Sequence, residues 1–201
     1  MHISEGILSG PVIISGWAIA IAGTAIGLKK INYDKIAQVG ILSAAFFVAS
    51  LIHVNIGLAS VHLILNGIIG IMLGWAAFPA ILVALFLQAL FFQFGGITSL
   101  GVNTVNMACP ALLCYYFLGP LIKGNHLIAI IASFACGFLS VFLSAMMLAA
   151  TLIFTEKNFW EIASLLVVSH LPVMIIEGII SAFCISFLKK VQPELLPSYI
   201  S

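Results

Sequence analysis

Uninterrupted apolar stretches of about 17 residues or more, each long enough to cross a hydrocarbon core of about 30 Å as a helix, recur along almost the whole chain. Of 201 residues, 63% are hydrophobic and only 6% charged, against roughly 25% charged in a soluble globular domain. A soluble fold cannot hide that much apolar surface. The runs are continuous Ile, Leu, Ala and Phe, without the apolar/polar alternation of a lipid-facing strand, which argues against a β-barrel. The chain therefore reads as an all-α integral membrane protein, a single transmembrane domain over 1–201. About seven spans are expected, at roughly 11–28, 36–54, 62–76, 78–95, 105–122, 127–154 and 162–188. The third is short, as suits a helix that begins below the membrane surface inside a protein cavity. Between the fourth and fifth, the run from Gly95 to Asn103 is rich in glycine and hydroxyl residues and predicts a partly buried, non-helical turn.

Charge position gives the orientation. With the N-terminus outside, Lys29, Lys30, Lys35, Lys123, Lys189 and Lys190 fall on the cytoplasmic side and only Lys157 falls outside, the bias that membrane insertion favours. The N-terminal segment, the 54–62 turn and the 95–104 turn then share the outer face. Met1 to Gly10 carries no Lys or Arg and holds Glu5, so the basic region of a secretory signal is missing and the first helix is expected to be retained. Cys109, Cys114, Cys136 and Cys184 form no CxxC pair and read as small apolar residues, not as a disulfide framework or a thiolate zinc site. No GxxxxGK[ST] motif is present, so an ATP-hydrolysing partner would be a separate chain.

The opening Met1-His2 is a ready chelator. The α-amine of Met1 and the amide nitrogen of His2 close a five-membered ring on a metal, and that amide with imidazole Nδ1 of His2 closes a six-membered one. Three nitrogens come from two residues. Such a planar set suits Ni(II) or Cu(II) better than Zn(II), Mg(II) or Ca(II). His62, at the start of the third span on the same face, is the best fourth ligand; His53 is the alternative, or a hydrogen-bonding support for a ligand. His126 lies in a short cytoplasmic turn and is given no role. His170 and Glu177, seven residues apart in the seventh span, are ionisable groups at membrane depth, which usually face a bundle interior or a functional cavity. They read either as a proton relay or, by preference, as an intramembrane polar pair tying the seventh helix to the loops above.

Several stretches together resemble the substrate-binding membrane subunits of nickel and cobalt energy-coupling-factor transporters, the CbiM/NikM family. Met1-His2-Ile3-Ser4-Glu5-Gly6 looks like that family's MHIxEG opening, and Ser60-Val61-His62 with Asn66-Gly67 looks like its SxH segment. Gln88 through Gly95-Gly96, continuing through Leu100-Gly101-Val102-Asn103 to Met107, is similar to its glutamine, double-glycine and LGxN pattern. His170-Leu171-Pro172 with Glu177-Gly178 resembles its closing HxP and EG. The segment after His62 departs, reading Leu63-Ile64-Leu65 where many members carry small residues.

The resemblance implies a seven-helix S component of the cell (inner) membrane that captures Ni2+ or Co2+ with Met1, His2 and His62 and has no catalysis of its own. Glu5, Asn66 and Asn103, polar residues of the same motifs, join His53 as candidates to support the ligands or replace one. The partners it implies are a transmembrane coupling (T) subunit, a cytoplasmic ATPase pair and a small accessory membrane subunit. Small residues spaced four apart let helices approach closely in lipid; of the pairs Ala18/Ala22, Gly23/Gly27, Gly40/Ala44 and Ala45/Ala49, the last is expected to dock the coupling subunit. The competing reading is a stand-alone proton-coupled secondary carrier working through His170 and Glu177. Nickel against cobalt stays open at this level.

Overall fold

Pro11 opens the first helix and Pro172 the last, each at a position whose missing N–H would have had no helical partner. Asn125 caps the longest helix by accepting from Ile128 N at 2.9 Å. The computed structural model describes residues 2–56, 59–156 and 159–196. Its helices are α1 (Gly10–Lys30), α2 (Ile36–Ala49), α3 (Asn66–Leu73), α4 (Ala77–Phe92), α5 (Leu100–Phe117), α6 (His126–Thr155), α7 (Trp160–Ser169) and α8 (Leu171–Val191). Strands β1 (His53–Ile56) and β2 (Ala59–His62) form an antiparallel pair in which His53 stands opposite His62. The architecture is a helical bundle. Four helical segments, Gly10–Lys30, Asn66–Phe92, His126–Thr155 and Trp160–Val191, are long and apolar enough to cross a membrane.

α3 sits at the centre. Every residue from Asn66 to Ile71 is buried, and the helix is wedged between α5 and α6. A Cβ at Gly70 would lie 2.1 Å from Ala111 O, and one at Gly67 would lie 2.9 Å from Cys136 O; only glycine lets these backbones approach so closely. α1 closes on α4 and α5 in the same way, with Gly23 against the Phe78 ring and Gly16 against Val102. α6 and α8 pair along their length, Gly137 of α6 meeting Glu177 O. At the end remote from the N-terminus, Lys189 Nζ donates to Ile122 O at 2.8 Å and so ties α8 to the turn after α5.

The expected spans need four corrections. The second stops at Ala49 rather than running to 54, because Ser50 turns its hydroxyl back to Phe47 O and the next stretch pairs as a hairpin. The third is shorter still, since His62 ends β2 and α3 begins only at Asn66, after Leu65 takes a left-handed conformation at φ 57°. The fifth begins at Leu100, not 105, so Asn103 is helical. The seventh is two helices with a joint at His170, where Pro172 supplies no donor to continue the ladder.

The docking face also needs correction. Ala45 is exposed, but Ala49 lies on the inward side of α2 with Phe46 and is 6% exposed, so it packs within the chain and cannot receive a partner. Gly23 and Gly27 are likewise internal.

The packing makes a direct prediction. Gly70→Ala pushes a methyl into the Ala111 backbone and should cost about 1–3 kcal/mol. At Gly40 of α2 a Cβ meets nothing within 4 Å, so Gly40→Ala should instead gain up to about 1 kcal/mol from helix propensity. Thermal unfolding in detergent reads both, and equal melting temperatures for the two variants would contradict the wedge.

Candidate functional site

The N-terminal arm ahead of α1 is held by side chains from the first turn of α5 and by the loop that precedes it. Asn103 grips Ile3 at both ends: Ile3 N donates to Asn103 Oδ1 at 3.0 Å, and Asn103 Nδ2 donates to Ile3 O at 3.1 Å. Ser99 Oγ adds a second donor to Ile3 O at 2.8 Å. Further along, Glu5 N donates to Gly95 O at 3.1 Å, and the Glu5 carboxylate accepts from Thr98 N at 3.3 Å. The turn is shaped to receive the arm. Gly95 holds φ 78°, and a Cβ on Gly96 would collide with the Glu5 carboxylate. Trp17 of α1 closes the circuit by donating from Nε1 to Thr98 O at 3.1 Å.

The arm delivers His2 beside His62. His62 ends β2 and is 3% exposed; below it the chain must reverse into α3, leaving amide donors with no helical partner. Glu177 supplies the acceptor, taking Ile64 N and also Leu65 N, the latter at 2.9 Å. That carboxylate, itself fully buried, fixes the 63–65 turn. Leu63 O then accepts from His62 Nδ1 at 3.0 Å.

The two rings meet through their nitrogens. His62 Nε2 stands 3.1 Å from His2 Nδ1, with ring centroids 4.8 Å apart and planes inclined by 23°. His2 Nε2 is 2.8 Å from Oε1 of Gln88, a fully buried residue of α4. A carbonyl oxygen can only accept, so both outer nitrogens carry hydrogen, as ligating histidines usually do. In that tautomer each inner nitrogen offers a lone pair, the form in which a neutral imidazole binds a metal ion. Phe94, its ring 6.0 Å from that of His2, and Phe92 beyond it at 5.7 Å cover the pair with an apolar wall.

Not every residue named from the sequence arrives. His2, His62, Glu5 and Asn103 come together as described; Met1 lies outside the described residues, as does the side chain of His53. Asn66 is turned away, its Nδ2 donating to Ser144 Oγ at 2.9 Å and to Met107 O at 3.3 Å, so it braces α3 against α5 and α6. His170 and Glu177 do not bond each other, but each hydrogen-bonds within the bundle, and Glu177 ties the last helix to the 63–65 loop as the preferred reading expected. His170 Nδ1 donates back to Leu166 O at 2.6 Å, across the joint between α7 and α8. Sequence reasoning gave Gln88 no role, although a carboxamide within the sixteen apolar-rich residues of α4 is costly at membrane depth and was signal enough.

Among the described residues no group of three or more His, Cys, Asp or Glu could hold a metal. A metal held at the His2–His62 pair must therefore recruit other donors, and the amide nitrogen of His2 belongs to the same residue.

Comparison with known proteins gives a consistent picture. Residues 2–195 match the CbiM family model, described as the cobalt uptake substrate-specific transmembrane region. A Haemophilus influenzae protein assigned to metal transport is 40% identical over 98% of this chain and 97% of its own. An Archaeoglobus fulgidus protein assigned to nickel transport as a NikMN fusion is 29% identical over 98% of this chain and 68% of its own. A crystal structure of a transition metal transporter superposes with a TM-score of 0.78 at 25% identity, covering 95% of this chain and 93% of the other.

The clasp on Ile3 can be tested directly. Asn103→Leu keeps the shape but leaves Ile3 N without its acceptor, and should cost about 1–3 kcal/mol. Hydrogen exchange at the amides of Ile3 and Glu5 should accelerate together, because the arm is released as a unit. Unchanged exchange at both would show that the arm is held by something else.

Proposed function

The chain belongs to the CbiM family, and on that premise we propose that it captures Ni2+ or Co2+ in a planar set of four nitrogens at the N-terminal arm. It is a multi-pass membrane protein of cobalt or nickel uptake, a transport protein rather than an enzyme. The observation that carries the finer reading is the His2–His62 pair, with its outer nitrogens donating to oxygens and its inner nitrogens 3.1 Å apart. An ion about 2.0 Å from each imidazole nitrogen sets neighbouring corners of a square about 2.8 Å apart and opposite corners about 4 Å apart. The pair thus suits neighbouring corners. Chelation by the Met1 amine, the His2 amide nitrogen and His2 Nδ1 in sequence leaves open the corner opposite the amide, which is the neighbour of Nδ1. That is the corner His62 Nε2 would take.

In this reading 1–201 is a single transmembrane domain with the arm outside. The ion is handed on through an energy-coupling-factor complex comprising a coupling (T) subunit, an ATPase pair and a small accessory membrane subunit. The exposed Ala45, beside Ala44 and Gly40 on the outer face of α2, is the remaining candidate contact for the coupling subunit. A proton-coupled carrier has no support in the arrangement of Glu177, whose carboxylate is occupied by the backbone of the 63–65 turn.

The decisive experiment measures nickel and cobalt binding by the purified protein. Acetylating the α-amine, or adding one residue before Met1, should abolish it. His2→Ala and His62→Ala should each weaken it by more than the roughly 10–100-fold that loss of a supporting group brings, while His126→Ala binds as the parent does. Tight binding by the extended protein would end the chelate reading. Because the Met1 amine and the His2 amide must lose protons to ligate, affinity should rise with pH; a flat profile would point to imidazoles alone.

A further inference from the structure

At the end of the bundle remote from the N-terminal arm lies a cavity that the His2–His62 site does not use. Its volume is about 270 Å³, and it opens between the 31–35 turn, α2, α3 and α5. Lys30 and Lys35, both exposed, line its polar side. Val39 of α2 with Met72 and Leu73 of α3 give it apolar walls, and Tyr115 of α5 lines it as well. The Tyr115 ring is seated against Gly74, where a Cβ would lie 3.0 Å from it.

The balance of charge at this cavity is positive. Residues 29–35 carry three lysines against the one acid Asp34. Gln38 Nε2 donates to Leu195 O at 3.1 Å, which brings Glu194 into the neighbourhood, but Asp34 and Glu194 are both exposed and neither lines the cavity. Aromatic residues set its depth. Lys30 Nζ lies 5.4 Å from the centre of the Trp75 ring, Trp75 Nε1 donates to Tyr116 Oη at 2.8 Å, and Tyr33 is exposed on the adjoining turn. Trp and Tyr gather at the level of the lipid headgroups, where the membrane meets water.

An occupant must therefore join an anion for the lysines to an apolar tail for the walls. A free phosphate would meet the lysines and leave the walls wet. An anionic phospholipid has both parts at the right depth, and basic pockets between membrane helices take such headgroups. We propose that this cavity binds one anionic phospholipid, with the phosphodiester between Lys30 and Lys35 and an acyl chain along Val39, Met72 and Leu73. The lipid bridges the α1–α2 connection to α3 and α5, and a ligand that binds only the folded chain stabilises it. This site is independent of the metal reading.

The test uses the full chain, stripped of lipid in an uncharged detergent and titrated with phosphatidylglycerol, phosphatidylcholine or inorganic phosphate while thermal unfolding is followed. Phosphatidylglycerol should raise the melting temperature saturably, and the other two should not. Lys30→Gln and Lys35→Gln should each raise the phosphatidylglycerol concentration needed by about fivefold. Lys190→Gln, which removes an exposed lysine at the same end outside the cavity, should leave it unchanged. Equal stabilisation by phosphatidylcholine, or an equal loss in Lys190→Gln, would overturn the site, and stabilisation by inorganic phosphate at the same concentrations would overturn the lipid. Should the variants fail to fold, a phosphatidylglycerol with a photoactivatable acyl chain decides on the parent alone: label on Val39, Met72 or Leu73 supports the proposal, and label confined to other helices overturns it.

Discussion

The Glu177 carboxylate, fully buried in α8, accepts the backbone donors of Ile64 and Leu65, and the site depends on that contact. In a lipid environment every backbone polar group has to be met from within the protein. A reversal from strand to helix exposes amide donors that no ladder satisfies, and here an acidic side chain satisfies two of them from one oxygen. The same contact sets the plane of the Leu63 carbonyl, hence the tilt of the His62 ring, hence where its lone pair points. A residue of the last helix thus governs a ring that precedes it by more than a hundred positions.

Asn103 does the corresponding work for the arm. A carboxamide can match both the N–H and the C=O of one residue, as a neighbouring strand would, and Asn103 does so for Ile3. Neither histidine is therefore placed by its own element alone. Ile3 and Leu8 anchor the arm in an apolar cluster with Val102, Leu148 and Leu152, and the polar side chains of α5 and α8 fix the backbones of Ile3 and of the 63–65 turn.

The helical membrane architecture was legible because hydropathy over long windows is insensitive to detail. What hydropathy missed was where helix gives way to something else. The run His53-Val54-Asn55-Ile56 is apolar enough to extend a predicted span, yet its β-branched residues and the nearby glycine suit a paired strand equally well, and only the tertiary pairing with 59–62 decides. Pro172 marked the joint at His170 openly and was passed over because the flanking segments are uniformly apolar. Ala49 was assigned outward from spacing and the family resemblance, neither of which says which face of a helix meets its own bundle. At the site, the chemistry of a Met-His start singled out His2 and His62, and the fold brings these two rings together. Asn66 went astray because sequence reveals that a buried polar group needs a partner but not which one it finds, whereas the reading of Glu177 as a tie from the last helix to the loops above holds.

The central position of α3 bears on how the protein is made. Eight residues long and without a lipid-facing side over Asn66–Ile71, this helix is too short to be accepted into a bilayer on its own and enters as the leading half of the 66–92 segment. Its final berth is formed by α5 and α6, which leave the ribosome afterwards, and the carboxylate that seals its upper end arrives last of all, 113 residues after Ile64. His62 is consequently without its final shape until nearly the whole polypeptide has been inserted. On the proposed planar-nitrogen reading, nascent and truncated chains would display both histidines without the geometry to sequester an ion, and the order of synthesis itself would guard against premature loading.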